Sequence, residues 1–544
     1  MAPQRWAATV PPAALAAVSR LVRRRPFLLG GLAAISSTAG RAQSALGNAA
    51  GVNFQAPALD DKTGPGFSRI VIARWGDLLQ PDAPPFNPAV LTTDQANGQF
   101  PYDAVIVALI SPPPAQDGVP RLVLVTANPT APARMLFNGG VDSPAVAGRE
   151  QGVTVVNLQY LSGRWVTVLG GYQTRRLSDG TLCQLSGPVA AQIGATVQGV
   201  LAVNGGSATP WGNVLLAEGD AGPWLTRLTG LGLGYADPAY AARYGWVVEF
   251  NPLDPLSLPT KRTALGRIAR AGVLAATATD GRPVVFFTQD AAAGMMFRFV
   301  AATNATDGTA LDSGTLSVAV LGGNGIDWVD IPGDVPSLAG LANAGINAGG
   351  ESFDAPGGLA MSADGTALYL ACAGNAARSV ADTLNPGGEA GHIVQFTLPG
   401  ADPTARHFPA RIALIAGNPA RDAGTQYGPG SQAWLRKPRT LGIDPAGNLW
   451  IGTDQRGDTT QTADGLFMMQ TTGPAQGAVA YAYLAPIGAA AGGAAFDANS
   501  KTAFGAVRHP GATPGASFAS PATRWPTLQP NMPPQTTIIG LVTQ

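Results

Sequence analysis

An all-β fold, a β-propeller with loop insertions, is what this sequence predicts, and three observations predict it. Composition is the first: 70 glycines and 46 prolines punctuate a 544-residue chain that is still 46% hydrophobic, so a core is available and the chain reverses often. The second is periodicity. After residue 45 no helical pattern is sustained over four turns, and short β-branched or aliphatic runs recur between Gly, Pro, Asn and Asp clusters. The third is a repeat: Pro356-Gly357-Gly358-Leu359 leads through Ala363-Asp364-Gly365 to Leu368-Tyr369-Leu370, and Pro438-Arg439-Thr440-Leu441 leads through Asp444-Pro445-Ala446-Gly447 to Leu449-Trp450-Ile451. Each unit is a strand, a tight turn and an aromatic-containing strand, and a weaker copy runs from Gly493 through Phe496-Asp497-Ala498-Asn499 to Ala503-Phe504-Gly505. A two-sheet sandwich is the alternative architecture.

Residues 1–45 read as an export signal. Arg20, Arg23, Arg24 and Arg25 precede an apolar run from Pro26 to Ile35, which ends in small residues between Ala39 and Ala45. Arg24-Arg25-Pro26-Phe27-Leu28 fits the twin-arginine pattern. The run is shorter than the roughly 20 apolar residues of a membrane span. The expectation is therefore a periplasmic or secreted mature chain with no stable membrane span, against the alternative of an uncleaved amphipathic tail. Strands are expected near 104–109, 121–126, 153–158, 165–169, 245–250, 283–287 and 316–321. Pro112-Pro113-Pro114, 340–350, 417–430 and the turn at Pro510-Gly511 read as inter-blade loops, too short for domain linkers, so 46–544 is expected to be one domain.

Lys plus Arg and Asp plus Glu each number 34, and only 12% of residues are charged, which excludes a global electrostatic footprint for nucleic acid. A small-molecule or protein ligand is the expected partner. Cys183 and Cys372 permit one bridge at most, and free buried thiols are the preferred reading. Three histidines, His392, His407 and His509, would all have to converge to form a zinc site. No Gly-x-Ser-x-Gly elbow is present. Lys261, Arg262 and Arg267 read either as a basic rim near the centre or, preferably, as solvated charges at strand ends. Trp211 and Trp246 suit a pocket floor and inter-blade packing equally.

Several segments, in order from about residue 68, resemble the PhoX-type bacterial alkaline phosphatases. They include Arg74-Trp75-Gly76-Asp77, Gly187-Pro188, Thr209-Pro210-Trp211-Gly212, Tyr244-Gly245-Trp246-Val247-Val248-Glu249 and Lys261-Arg262-Thr263-Ala264-Leu265-Gly266-Arg267. Leu311-Asp312-Ser313-Gly314-Thr315-Leu316, Gly391-His392-Ile393, Gly447-Asn448-Leu449-Trp450-Ile451-Gly452-Thr453-Asp454 and His509-Pro510-Gly511 follow. The resemblance implies a propeller phosphomonoesterase with iron and calcium held at its centre by carboxylates and one cysteine, because hard cations take oxygen donors and neutralise phosphoryl charge.

The implied ligand positions are where this sequence departs from the family. Asn204 stands where the resemblance places the cysteine, and Leu216-Ala217-Glu218-Gly219 keeps one of two glutamates. Thr126-Ala127-Asn128, Arg270-Ala271-Gly272, Gln289-Asp290-Ala291 and Ala355-Pro356-Gly357 replace other donors or charges. Losing carboxylates from a multi-metal cage removes both ligands and compensating charge. The family's iron cluster is therefore not expected. The surviving carboxylates Glu218, Glu249 and Asp290, with Asp454 as a fourth, are the candidate ligands for at most one calcium, although isolated carboxylates at strand ends more commonly accept backbone hydrogen bonds. Trp211, Asn204, Lys261 and Arg262 are the candidate pocket residues. Two functions follow: an exported propeller acting as a binding or interaction protein, which is preferred, and a divergent phosphomonoesterase with a reduced metal site.

Overall fold

The computed structural model describes residues 55–231, 237–306, 308–497, 499 and 501–543. The export signal lies outside the described residues. Strands make up 38% of the chain and helices 11%, and the strands form a β-propeller whose described residues build six blades. Blade 1 comprises Val105–Ile110, Arg121–Asn128, Gly152–Leu161 and Arg164–Thr167, with Arg175–Leu177 paired beside the third strand. Val203–Ala208, Val214–Glu218, Val247–Phe250 and Thr260–Arg262 form blade 2, whose outer edge is extended by Leu182–Ser186 in parallel and Thr196–Gln198. Blade 3 runs outward from Arg270–Thr277 through Pro283–Gln289, Met296–Ala301 and Gly314–Gly322 to Gly325–Ile331. In blade 4 the order is Pro356–Met361, Ala367–Cys372, His392–Thr397 and His407–Ile415, and this last strand also pairs with Gly325–Ile331 of blade 3. Pro438–Ile443, Leu449–Thr453, Gly465–Met469 and Val479–Leu484 make blade 5.

The ring closes by exchange between the two ends of the chain. Blade 6 contains Ala490–Asp497, Thr502–Arg508 and Thr537–Thr543 from the C-terminal part, and its outermost strand is Phe67–Arg74. Lys62–Thr63 likewise joins blade 5. The innermost strand of each blade neighbours the next around a closed circuit, with blade 6 meeting blade 1.

Six apolar clusters fill the six gaps between neighbouring blades. The second strand of blade 1 shows why: Val123, Val125 and Ala127 pack toward blade 2, whereas Leu122 and Leu124 pack toward blade 6. A strand buried on both faces needs apolar residues at consecutive positions, so it reads as a continuous run and not an alternation. All seven expected strands are present within a few residues of the expected bounds, and the three repeat units are the inner hairpins of blades 4, 5 and 6. One expected loop is corrected: within 340–350 the chain forms a helix, Leu341–Asn347, preceded by Val335–Ala339, which Asp334 caps by accepting from the Ser337 N–H. Among the described residues no helix is long and apolar enough to cross a membrane.

Candidate functional site

Each of the six inner strands carries a register shift near its first residues. The shifts fall between Ile106 and Ala108, Val203 and Gly205, Arg270 and Gly272, Pro356 and Leu359, Pro438 and Thr440, and Ala491 and Ala494. A bulge inserts an unpaired residue and turns its side chain out of the ladder, a device common beside active sites. Here the displaced residues are Val107, Asn204, Ala271, Gly357 with Gly358, Arg439, and Gly492 with Gly493. Close approach requires the glycines: a Cβ on Gly358 would stand 3.1 Å from the Leu441 nitrogen, and one on Gly272 would stand 2.9 Å from the Gly357 oxygen.

These bulges surround a central cavity of about 1010 Å³. Its charged lining residues are Asp220, Asp290, Lys437, Arg439, Asp454, Arg456 and Arg508. All seven stand at one end of the ring, because the second strand of every blade runs antiparallel to the inner strand and returns the chain to the bulged end. Positive φ recurs there at residues other than glycine, at Ala355 (52°), Lys437 (54°) and Arg456 (54°). Such strained backbone concentrates at functional sites.

Arg508 is the electrostatic hub of this mouth. It donates from Nε and Nη2 to the two carboxylate oxygens of Asp103, each at 2.9 Å, and from Nη1 to Asp454 at 3.2 Å. Burial pushes the Asp103 carboxyl up, but the paired guanidinium outweighs it and holds the group at about 2. Asp454 is also held below the usual carboxylate range, with Arg508 overcoming burial. Asp290 accepts from Asn204 Nδ2 at 3.1 Å and from Arg439 Nη2 at 2.7 Å. Asn204 donates its amide to the Arg270 carbonyl as well, at 2.8 Å. Asp220 caps the backbone of Gly222. The side chains of Lys437 and Arg456 make no ion pair among the described residues; burial lowers the Lys437 ammonium from its ordinary value, with the charges of Glu389 and Asp458 acting against it.

Of the residues the sequence singled out, Asn204, Asp290 and Asp454 line the cavity together, whereas Glu218, Glu249, Trp211, Lys261 and Arg262 do not. Glu218 is fully buried in blade 2, where it accepts from Lys261 Nζ at 2.7 Å and from the Leu201, Gly245 and Trp246 N–H groups. Glu249 accepts from Trp211 Nε1 at 2.9 Å, Asn213 Nδ2 at 2.8 Å and Arg262 Nε at 2.8 Å. This corrects the reading of Lys261 and Arg262 as a basic rim or as solvated charges: both are internal partners of buried glutamates. Arg267 also turns inward, to the Tyr244 and Ala241 carbonyls. Trp246 is buried between blades 2 and 3. Glu218, Glu249 and Asp290 therefore do not assemble into one site, and among the described residues no three His, Cys, Asp or Glu side chains are grouped to hold a metal.

Asn128 is buried in blade 1, donating to the Asp103 carbonyl and accepting from Thr154. His392 is buried in blade 4, and burial pushes its imidazole down to about 4. His407 lies at the outer edge with Asp327 and Asn324, and His509 follows the second strand of blade 6. Cys183 and Cys372 are free, buried and in different blades.

Comparison with known proteins follows the same geometry. A family model described as alkaline phosphatase PhoX matches residues 57–511. The chain belongs to the PhoX family. Among solved structures, PhoX of Pseudomonas fluorescens in complex with vanadate, a transition state analogue, has a TM-score of 0.79 at 24% identity, covering 90% of this chain and 97% of that one. At that identity the likeness speaks for the fold alone. A putative 6-phosphogluconolactonase from Bacteroides uniformis has a TM-score of 0.31 at 12% identity over 73% of this chain and 76% of its own. No curated protein matches the chain.

Within this PhoX-family propeller, the residues missed by sequence reasoning are Lys437, Arg456 and Arg508, and the role of Arg439. A signal was present for two of them. Lys437-Pro438-Arg439 repeats Ala355-Pro356-Gly357 one blade on, with a positive φ before proline and a bulge after it in both, of one residue in blade 5 and two in blade 4. The repeat thus placed a cationic pair at a position equivalent to one that is uncharged.

Proposed function

We propose that this PhoX-family chain is an exported binding protein whose central cavity takes a small phosphoryl-type anion, and that it does not hydrolyse phosphomonoesters through a metal cluster. One observation carries the reading: two of the three carboxylates lining the cavity, Asp290 and Asp454, are occupied by arginines, while among the described residues Lys437 and Arg456 make no ion pair. The lining holds four cations and three anions, and Asp103 behind it takes two of the Arg508 donors. The two cations outside these pairs, Lys437 and Arg456, stand on strained, prearranged backbone and suit a phosphoryl group, which guanidinium binds through paired donors. The donor set does not fit an iron and calcium cluster, since Asn204 already donates to Asp290 and the bulges of blades 1, 3, 4 and 6 present Val107, Ala271 and glycines. Export by the twin-arginine route rests on Arg24 and Arg25.

Isothermal titration of the full mature chain with inorganic phosphate tests the reading. Binding is expected, and the double variant Lys437→Ala, Arg456→Ala should weaken it at least tenfold. Absence of binding, or unaltered binding in that variant, would overturn the assignment. Family membership favours the second reading, a divergent alkaline phosphatase, which metal content and activity decide.

A further inference from the structure

The mouth and the throat of the cavity differ in chemistry. All the charged lining residues belong to the bulged end, whereas the inner strands continue through the ring past Leu274, Met361, Leu441 and Ile443 with Ser207 and Ala495 between them. Those four large apolar side chains pack on one side against the apolar clusters of the blade gaps and line the cavity with the rest, remaining only partly buried. From Arg439 to Ile443 the strand advances four residues, roughly 13 Å at about 3.3 Å each. Apolar side chains facing an internal channel are a favourable surface for an apolar ligand and an unfavourable one for water.

We infer that the ligand of this cavity is a single-tailed amphiphilic phosphate monoester, an alkyl phosphate whose head lies between Lys437 and Arg456 and whose chain follows the throat toward Ile443. This rests on the anion-binding reading above and extends it from the head group to the whole ligand. Charge complementarity at the mouth sets the orientation, because among the described residues the throat offers no cation to a reversed ligand. A compact anion such as inorganic phosphate would leave the throat unused.

Titration of the full mature chain with inorganic phosphate, butyl phosphate and dodecyl phosphate, each below its micelle concentration, tests this. Affinity should rise by about fourfold for each methylene that leaves water, the equivalent of about 0.8 kcal/mol, so dodecyl phosphate should bind at least 100-fold more tightly than inorganic phosphate. Leu441→Ser with Met361→Ser should reduce that ratio at least tenfold. Equal binding of all three would overturn the amphiphile while leaving the anion site standing. Binding of dodecyl phosphate that is unchanged by Lys437→Ala with Arg456→Ala, or matched by the uncharged dodecyl maltoside, would be mere partitioning of the tail and would overturn it too. If none of the three binds, both readings fall.

Discussion

Arg439, displaced at the bulge of blade 5, reaches Asp290 at the end of the second strand of blade 3, with 2.7 Å between Nη2 and Oδ1. Asp290 thereby occupies a guanidinium that faces the cavity, and its other oxygen is held by Asn204. An incoming anion competes with this internal carboxylate. Asp290→Asn should free Arg439 and remove one negative charge from the mouth, raising affinity for inorganic phosphate roughly three- to tenfold, the scale of one partly exposed ion pair. Titration of both proteins at one ionic strength measures it; weaker binding in the variant would mean that Asp290 contacts the ligand directly.

The buried pair in blade 2 gives a contrasting prediction. Lys261 and Glu218 are both fully buried, and the ammonium also lies 4.1 Å from the centre of the Tyr244 ring. Lys261→Met strands the carboxylate and should cost roughly 3–5 kcal/mol. The double variant with Glu218→Gln should recover most of the loss. Urea unfolding measures both, while phosphate affinity of the folded variants should not change, because neither residue lines the cavity.

These two pairs show what the sequence made legible. Runs such as 121–126 were readable because a blade strand buried on both faces permits few polar residues, and the Pro356 and Pro438 repeats were readable because each blade needs the same turn. Asn204 and Asp290 were found through the family resemblance. Lys261 was misread for a physical reason: a charge that ends in a fully buried pair looks, along one strand, the same as a charge at a solvated edge, whereas Glu218 does accept the backbone hydrogen bonds expected of a strand-end carboxylate. The mouth was hidden because Lys437, Arg456 and Arg508 come from the ends of different strands and meet Asp454, which the family resemblance had already named, only when the ring closes. The helix Leu341–Asn347 was missed because its Ala, Gly and Asn residues carry turn signals as strong as its helical ones.

Asp464 predicts a pH dependence. It is buried, accepts from the Thr453 hydroxyl at 2.6 Å and the Gln455 N–H at 2.9 Å, and is pushed up to about 7 by burial and then by the charge of Asp454. Between its ordinary value of 3.8 and about 7 the folded chain binds more protons at this site than the unfolded chain, so this group lowers stability as pH rises through that window. Relative to Asp464→Asn, which does not titrate, the native protein should lose on the order of a few kcal/mol between pH 4.5 and 7.5. Urea midpoints of both proteins at these two pH values check it, and parallel profiles would show that Asp464 ionises normally.

The last prediction concerns metal and turnover. A phosphoryl transition state needs cations held where its charge develops, and removing even one such donor typically costs about 10²–10³ in rate. In this cavity Asp290 and Asp454 are bound to arginines, the Asn204 amide donates to Asp290, and Ala271 and Gly357 stand at bulges with no donor side chain. Arg439→Ala is the control variant, because it alters the mouth directly. Protein purified after native export should contain no stoichiometric iron and at most one loosely held calcium. Its phosphomonoesterase activity should equal that of Arg439→Ala, since contaminating phosphatase survives the change. Stoichiometric iron, together with activity that disappears in Arg439→Ala, would replace the binding-protein reading with the enzyme.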